Sequence, residues 1–243
     1  MRLVKLDIEA SPAQVVTWDL KTNGWISPGN ILKPRRLLCL AYRVYGDTET
    51  QFTSEWTDGH EEMVQRTWHV LDEADGIISY NGQGYDLPML NTEFILAGLG
   101  PPSPYASIDL MKTVKQKARF MSNSLDFVTS QLGIGRKGDP GGMKTWLAIE
   151  KGDEKAQQRM ELYNKLDVEL TEMAYRKLRP WISNHPARGI IDADQGCPTC
   201  GGSLAPRGYA YTRTGRFRRF CCNDCKAWSR STRRDEFTEI TAA

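Results

Sequence analysis

Apolar and polar positions alternate from the start of the chain. Val4, Leu6 and Ile8 fall on one face, and Leu3, Lys5, Asp7 and Glu9 on the other, which predicts a short strand over residues 2–8. A second strand is expected at 14–18. Residues 21–36 carry Asn23-Gly24, Pro28-Gly29 and Pro34 and read as a long irregular connection. The β formers of 36–45 predict an inner strand, turned at Gly46-Asp47 into a partner near 50–55. Asp58 is placed to cap a helix over 60–74 with Met63, Val64, Trp68 and Leu71 on its apolar side. A buried strand follows at 76–80, then a glycine-rich turn, a helix opened by Tyr85-Asp86-Leu87-Pro88 and running to about 97, and a last strand at 106–110. The helical pattern holds over 111–118, 123–132 and 154–178, with a glycine-rich basic loop at 133–142.

Strands first, then alternating strands and helices, then helices alone: this order predicts an α/β sandwich around a mixed sheet. The expected division is a body over 1–180, a linker at 181–196, a small module at 197–234 and a loose tail at 235–243. A content of 40% hydrophobic and 26% charged residues is that of a soluble globular protein. No apolar run reaches the length of a membrane span and no signal peptide precedes the first strand, so a cytoplasmic protein is expected. If the chain is phage-encoded, that is the host cytoplasm.

The net charge of +2 is unevenly spread. From Cys197 onward there are nine Lys/Arg against four Asp/Glu, or +5, whereas the preceding 196 residues carry 23 against 26, or −3. A basic tail module on an acidic body suggests polyanion contact in one part and catalysis in the other. Five of the six cysteines also fall in that last fifth, which favours metal over disulfides, and Cys39 sits alone in an apolar run as a core residue.

Asp7 and Glu9 share one face at the end of the first strand. Two carboxylates that close repel each other, and burial raises the cost, unless a proton or cation lies between them. The ions that suit such a pair are Mg²⁺ and Mn²⁺. Taken alone, the pair more often marks the solvated face of an edge strand. Asp86 follows a strand and a glycine turn, where an acid can also simply favour the helix start. Tyr163 and Asp167 lie four apart on one helix face. Around them Leu162, Leu166, Val168, Leu170 and Met173 are expected in the core, and Glu161, Glu169 and Glu172 in water. Asp109 ends the last strand and is given no catalytic role. Lys112, Lys115, Lys117 and Arg119, with Arg136, Lys137 and Lys144, form basic stretches that either face solvent or follow a substrate backbone.

In order, Leu6-Asp7-Ile8-Glu9, Tyr80-Asn81-Gly82-Gln83-Gly84-Tyr85-Asp86 and Tyr163-Asn164-Lys165-Leu166-Asp167 resemble the three motifs of the DEDD superfamily of 3′→5′ exonucleases. This ribonuclease H-like group includes polymerase proofreading domains, and the resemblance covers about residues 1–180. Tyr163, rather than a histidine, precedes the last Asp. That makes the chain similar to the tyrosine (DEDDy) branch and to stand-alone exonucleases related to family B polymerase proofreading domains.

The resemblance implies a mixed five-stranded sheet flanked by helices. It also implies two Mg²⁺ or Mn²⁺ ions bridged by Asp7, with Glu9 and Asp167 completing one metal site and Asp86 supporting the other. Tyr163 would position the attacking water. The implied substrate is DNA with single-stranded 3′ ends, RNA being the rival, with Asn81 near the strand. No polymerase fits within the chain, so the protein would act alone or lend its activity to a partner such as a replication protein. A non-catalytic nucleic-acid adaptor that has kept the fold is the reading from another class, and its mark would be a missing carboxylate.

The C-terminal module has Cys197-x-x-Cys200 and Cys222-x-x-Cys225 with 21 residues between, the spacing of a structural zinc ribbon with one Zn²⁺. Cys222 is preferred over Cys221 as third ligand because it preserves the two-residue gap. A hairpin with Tyr209, Tyr211 and Arg213 before a turn near Thr214-Gly215 should cross between the two knuckles. Arg213, Arg216, Arg218 and Arg219 interleave with aromatic residues, the combination that holds single strands by phosphate and base.

Overall fold

The computed structural model describes residues 1–19, 21, 24–187 and 196–237. The expected linker therefore lies in part, at 188–195, outside the described residues, as does the tail from 238 onward.

The first strand, β1 (Leu3–Ala10), is buried on both faces, because helices cover both sides of the sheet it centres. It pairs antiparallel with β4 (Leu37–Val44) and parallel with β6 (Gly76–Ser79). With β5 (Gln51–Ser54) and β7 (Ala106–Asp109) the order is β5-β4-β1-β6-β7, a mixed five-stranded sheet of ribonuclease H type. On one face Val4, Leu6 and Ile8 pack with Met63, Val64 and Leu71 of α2 (His60–Asp72) and Leu87, Leu90 and Phe94 of α3 (Asp86–Leu96). On the other, Leu3, Ile78 and Ile108 meet Val114 of α4 (Leu110–Lys117), Val128 of α5 (Leu125–Gln131) and Ala174, Tyr175 and Leu178 of α7 (Glu154–Leu178). Among the described residues no helix is long and apolar enough to cross a membrane.

Several local expectations need correction. The second strand shrinks to β2 (Gln14–Val15), which pairs with β3 (Ile31–Lys33) as a separate ribbon off the main sheet. Asp58 does not cap the long helix. It ends a preceding turn, α1 (Glu55–Asp58), and folds back to accept from Thr53 Oγ1 (2.7 Å) and Ser54 N (3.1 Å). The cap of α1 is Ser54, and α2 starts from Gly59 at φ 81°, a conformation that suits glycine. A further helix, α6 (Met143–Ile149), follows the basic loop; it occupies seven residues, too few to show a period.

On α7 the buried stripe is Met160, Asn164, Asp167, Val168, Thr171, Tyr175 and Leu178. Leu162 falls off it at 71% exposure and Met173 lies at its margin. Glu172, expected in water, is buried against Lys5 at 2.9 Å. Lys5 shares its face of β1 with Asp7, so the sheet turns a charged stripe, not an apolar one, toward the middle of α7.

Past the body, Ile182 packs in the core, Asn184 Nδ2 donates to Ser107 O (3.1 Å) and His185 stacks on Tyr175. The C-terminal module is an antiparallel sheet of β8 (Leu204–Thr212), β9 (Gly215–Cys222), β10 (Trp228–Arg230) and β11 (Glu236–Phe237), with β9 pairing all three others. Its apolar centre is little more than the cysteines with Ala227 and Leu204.

Candidate active site

The face of β1 that carries Lys5, Asp7 and Glu9 lies under α7. Two strand residues advance about 7 Å, and five helix residues about 7.5 Å. The two elements therefore keep step: Lys5 meets Glu172, and Asp7 meets the turn that holds Asn164 and Asp167. Oxygens of Asp7, Glu9 and Asp167 come within 4.8 Å of one another, close enough to share an ion.

Asp86 joins from the other side of the strand end. β6 pairs with β1 only as far as Lys5, and beyond it the Ile8 N–H donates to Asp86 Oδ1 (3.3 Å). The turn that delivers Asp86 is tightly made. Asn81 has φ 71°, and a Cβ on Gly82 would lie 2.2 Å from Ser79 Oγ. Asp109 holds this turn from β7, with Oδ1 accepting from Asn81 N (3.0 Å) and Oδ2 from Gln83 N (3.3 Å). Its Oδ1 also accepts from Met111 N at the start of α4. Asp109 is thus a scaffold for the site, as its place at a strand end only hinted. Asn81 is exposed at the rim.

Burial and mutual repulsion act on every acid here. Asp7 is pushed well above the usual carboxylate range by burial, then by Asp86, Asp167 and Glu9. Burial lifts Glu9 to about 7 and Asp86 to about 6. Asp167 is raised by burial against the pull of Lys137 and Tyr163. Its Oδ1 is buried and accepts no hydrogen bond among the described residues, although the Tyr163 hydroxyl is near enough to favour the charged form.

Two partners were not singled out by their sequence. Lys137, from the glycine-rich loop, places Nζ 2.6 Å from Asp167 Oδ2 and 3.0 Å from the Tyr163 hydroxyl. Burial disfavours its charge, but Asp167 and Tyr163 hold it protonated. Asn164 donates Nδ2 to Asp7 Oδ2 at 2.7 Å from a fully buried position. The only sequence signal for Lys137 was its place in a basic run, and for Asn164 its place between Tyr163 and Asp167. Cys39 is buried beneath this layer, its thiol pushed well up by burial and the acids.

The donor set fits a hard divalent cation. It is all carboxylate oxygen, largely withdrawn from water, with an orphaned buried oxygen and one lysine to balance four acids. Beside Glu9 opens a cleft of about 290 Å³ lined by Arg35, Tyr85, Met143 and Trp146.

A second donor set lies in the small module. Sγ atoms of Cys197 and Cys225 are 3.7 Å apart and those of Cys200 and Cys222 3.6 Å, with all four within 4.8 Å. Thiolates about 2.3 Å from a tetrahedral zinc stand about 3.8 Å apart, so the cluster fits that ion. Despite burial, backbone N–H groups of Cys225 and Asp224 hold the Cys222 thiol down at about 7. Cys221 stands outside the cluster, its Sγ facing the carbonyls of Cys222 and Lys226.

The arginines on β9 are engaged within the module. Arg216 pairs with Asp235 and Glu236 and lies over Tyr209, Arg218 faces Asp235, and Arg219 stacks on Trp228. Arg213 is at the exposed hairpin turn.

Comparison with known proteins adds two findings. The family described as the RNase_H superfamily matches residues 33–179, which takes in Asp86, Tyr163 and Asp167 but begins after β1. Among solved structures, the chain is similar to the family B DNA polymerase from the hyperthermophilic archaeon Pyrobaculum calidifontis, with a TM-score of 0.56 and 18% identity. That likeness is one of fold, over 74% of this chain and 24% of the polymerase, so the chain spans about a quarter of that protein's length. No curated protein sequence matches the chain.

Proposed function

Because the chain belongs to the RNase_H superfamily, we propose that it is a metal-dependent 3′→5′ exonuclease of the tyrosine (DEDDy) branch. It hydrolyses DNA at single-stranded or frayed 3′ ends and releases nucleoside 5′-monophosphates. The observation that carries this reading is the convergence of Asp7 and Glu9 with Asp167, 160 positions after Asp7, around a space that fits a cation.

Two Mg²⁺ or Mn²⁺ ions, when bound, would supply a nucleophile at neutral pH and charge relief on the leaving oxygen. Asp7, Glu9 and Asp167 are the residues that would hold the first ion. Asp86, beside Asp7, supports the second directly or through water. Tyr163, whose hydroxyl burial pushes up to about 12, stays protonated and orients the attacking water by a hydrogen bond. Lys137 steadies both Tyr163 and Asp167 from the loop side. Asn81 at the rim and the ribbon arginines Arg213, Arg216, Arg218 and Arg219 contact the strand. One structural Zn²⁺ on Cys197, Cys200, Cys222 and Cys225 holds the ribbon.

The test is a nuclease assay on 5′-labelled single-stranded DNA and RNA of one sequence, with EDTA, Mg²⁺ or Mn²⁺ and Asp7→Ala as control. The expected result is a ladder shortening from the 3′ end of DNA, dependent on metal and absent in the control. A ladder on RNA alone would make the protein a ribonuclease. Binding without cleavage of either strand would make it an adaptor.

A further inference from the structure

A second cleft lies on the other side of α6 from Glu9. That helix shows Met143 and Trp146 to the cleft beside Glu9, and Lys144, Thr145 and Ala148 to a cavity of about 430 Å³ completed by the start of α7. Three of its lining residues are cations: Lys144, Lys155 and Arg159. None of the three has an ion-pair or hydrogen-bond partner among the described residues. By contrast, Arg36 is neutralised by Glu55 and Glu150, and Arg43 by Glu169 and Glu172. One acid, Asp153, lines the cavity beside the three cations. Asp153 Oδ1 accepts from Ala156 N (3.0 Å) as the cap of α7, and Asp139 Oδ1 from Gly141 N (2.8 Å).

Arg159 lies close to the loop backbone. A Cβ on Gly141 would fall 2.6 Å from its Nη1 and 2.5 Å from Thr145 Oγ1, so the guanidinium lies against bare backbone beside a buried hydroxyl. Gly141 has φ +86°, a conformation that itself favours glycine. A guanidinium with a hydroxyl and two ammonium groups is the chemistry that grips phosphate oxygens. A helix is about 10–12 Å across, so the two clefts lie within a few nucleotides of each other along a strand.

We propose that this cleft binds the phosphodiester backbone of the substrate strand upstream of the bond being cut. The inference rests on the nuclease reading and adds to it a site that makes the enzyme prefer oligonucleotides over isolated phosphodiesters. The strand passes over α6, with its terminal nucleotide beside Glu9 and its preceding phosphates on Arg159, Lys144 and Lys155.

The experiment compares the protein with a Lys144→Gln/Lys155→Gln/Arg159→Gln variant in two assays. The first is Mn²⁺-dependent hydrolysis of the p-nitrophenyl ester of thymidine 5′-monophosphate, which has no upstream phosphate and reports the carboxylate centre alone. The second is binding of a single-stranded 20-mer to the Asp7→Ala form of each protein in EDTA, over a salt series. The triple variant is expected to hydrolyse the ester within about twofold of the parent. It is expected to bind the 20-mer roughly tenfold or more weakly at low salt. Its log–log salt slope should be shallower by about 2, at ~0.7 for each phosphate no longer neutralised. Unchanged binding and slope, with ester and DNA both cut by the parent, would overturn the cleft and leave the nuclease reading standing. Failure of the parent to cut either substrate would overturn both.

Discussion

Lys137 shows how much one side chain can decide in this site. Four acids crowd the end of β1, and its ammonium, 2.6 Å from Asp167, is the cation that offsets them. Lys137→Met should lower the melting temperature of the EDTA-treated protein at pH 7.5, and saturating Mn²⁺ should close most of the gap. Equal melting in EDTA would show that the lysine does not balance the cluster. Glu9 gives the same cluster a pH signature. Its folded value of about 7 lies above its ordinary 4.5, so the folded state binds the extra proton. The metal-free protein should therefore lose stability as pH rises from about 4.5 to above 7, by at most about 3 kcal/mol from Glu9. Asp86 adds in the same direction between about 4 and 6. Lys137, raised above its ordinary value, titrates above this window and leaves its sign unchanged. Melts from pH 5 to 8 in EDTA measure this, and a stability that climbs over that range would contradict the buried, proton-holding cluster.

At the scale of elements, the pairing of β1 with α7 sets the geometry. Lys5 and Glu172 lock the two together at 2.9 Å beneath the carboxylates, both nearly inaccessible to water. Burial lowers the Lys5 pKa, while hydrogen bonds from Lys5 and Arg176 keep Glu172 below its ordinary value even though it too is buried. Breaking such a pair from one side leaves a buried charge, so Glu172→Gln should cost about 3–5 kcal/mol in urea unfolding. A loss under about 1 kcal/mol would mean that the register rests on the apolar stripe alone. The turn at 81–85 is the other fixed point. Gly82→Ala forces a methyl onto Ser79 and should displace Asp86, reducing hydrolysis more than melting temperature. Both effects belong to packing between segments, which explains why Glu172 was expected in water: an acid on a polar-looking helix gives no sign of a lysine 167 positions away.

At the scale of the molecule, the body and the small module differ in what holds them. The body has two apolar layers around its sheet, whereas the module has a few buried groups around four thiols. Metal binding supplies much of the folding energy of such a piece. Cys200→Ser should release zinc and unfold the ribbon while the body melts as before, and Cys221→Ser should keep a full equivalent of zinc by elemental analysis. Zinc lost equally from both would remove Cys222 from the ligand set. A chelator strong enough to strip the ribbon should likewise weaken strand binding, and ester hydrolysis should return once Mn²⁺ is supplied in excess of the chelator.

The sequence by itself determined the order and kind of the principal elements and the identity of Asp7, Glu9, Asp86, Tyr163 and Asp167 as candidates. Those depend on local period and spacing, which the chain carries in a few residues at a time. The two Cys-x-x-Cys pairs were legible for the same reason, and the structure gathers their four thiols in one place. Only the tertiary structure decided which groups surround those residues. Lys137 on Asp167, Asn164 on Asp7, Asp109 under the 81–85 turn and Glu172 on Lys5 join residues 26 to 167 positions apart. Short pieces such as α1, α6 and β3 also came only from the structure, because they are fixed by what they pack or pair against and not by a repeat of their own. Periodicity is a property of a segment. Charge balance and close packing belong to the space between segments, and it is there that this site is made.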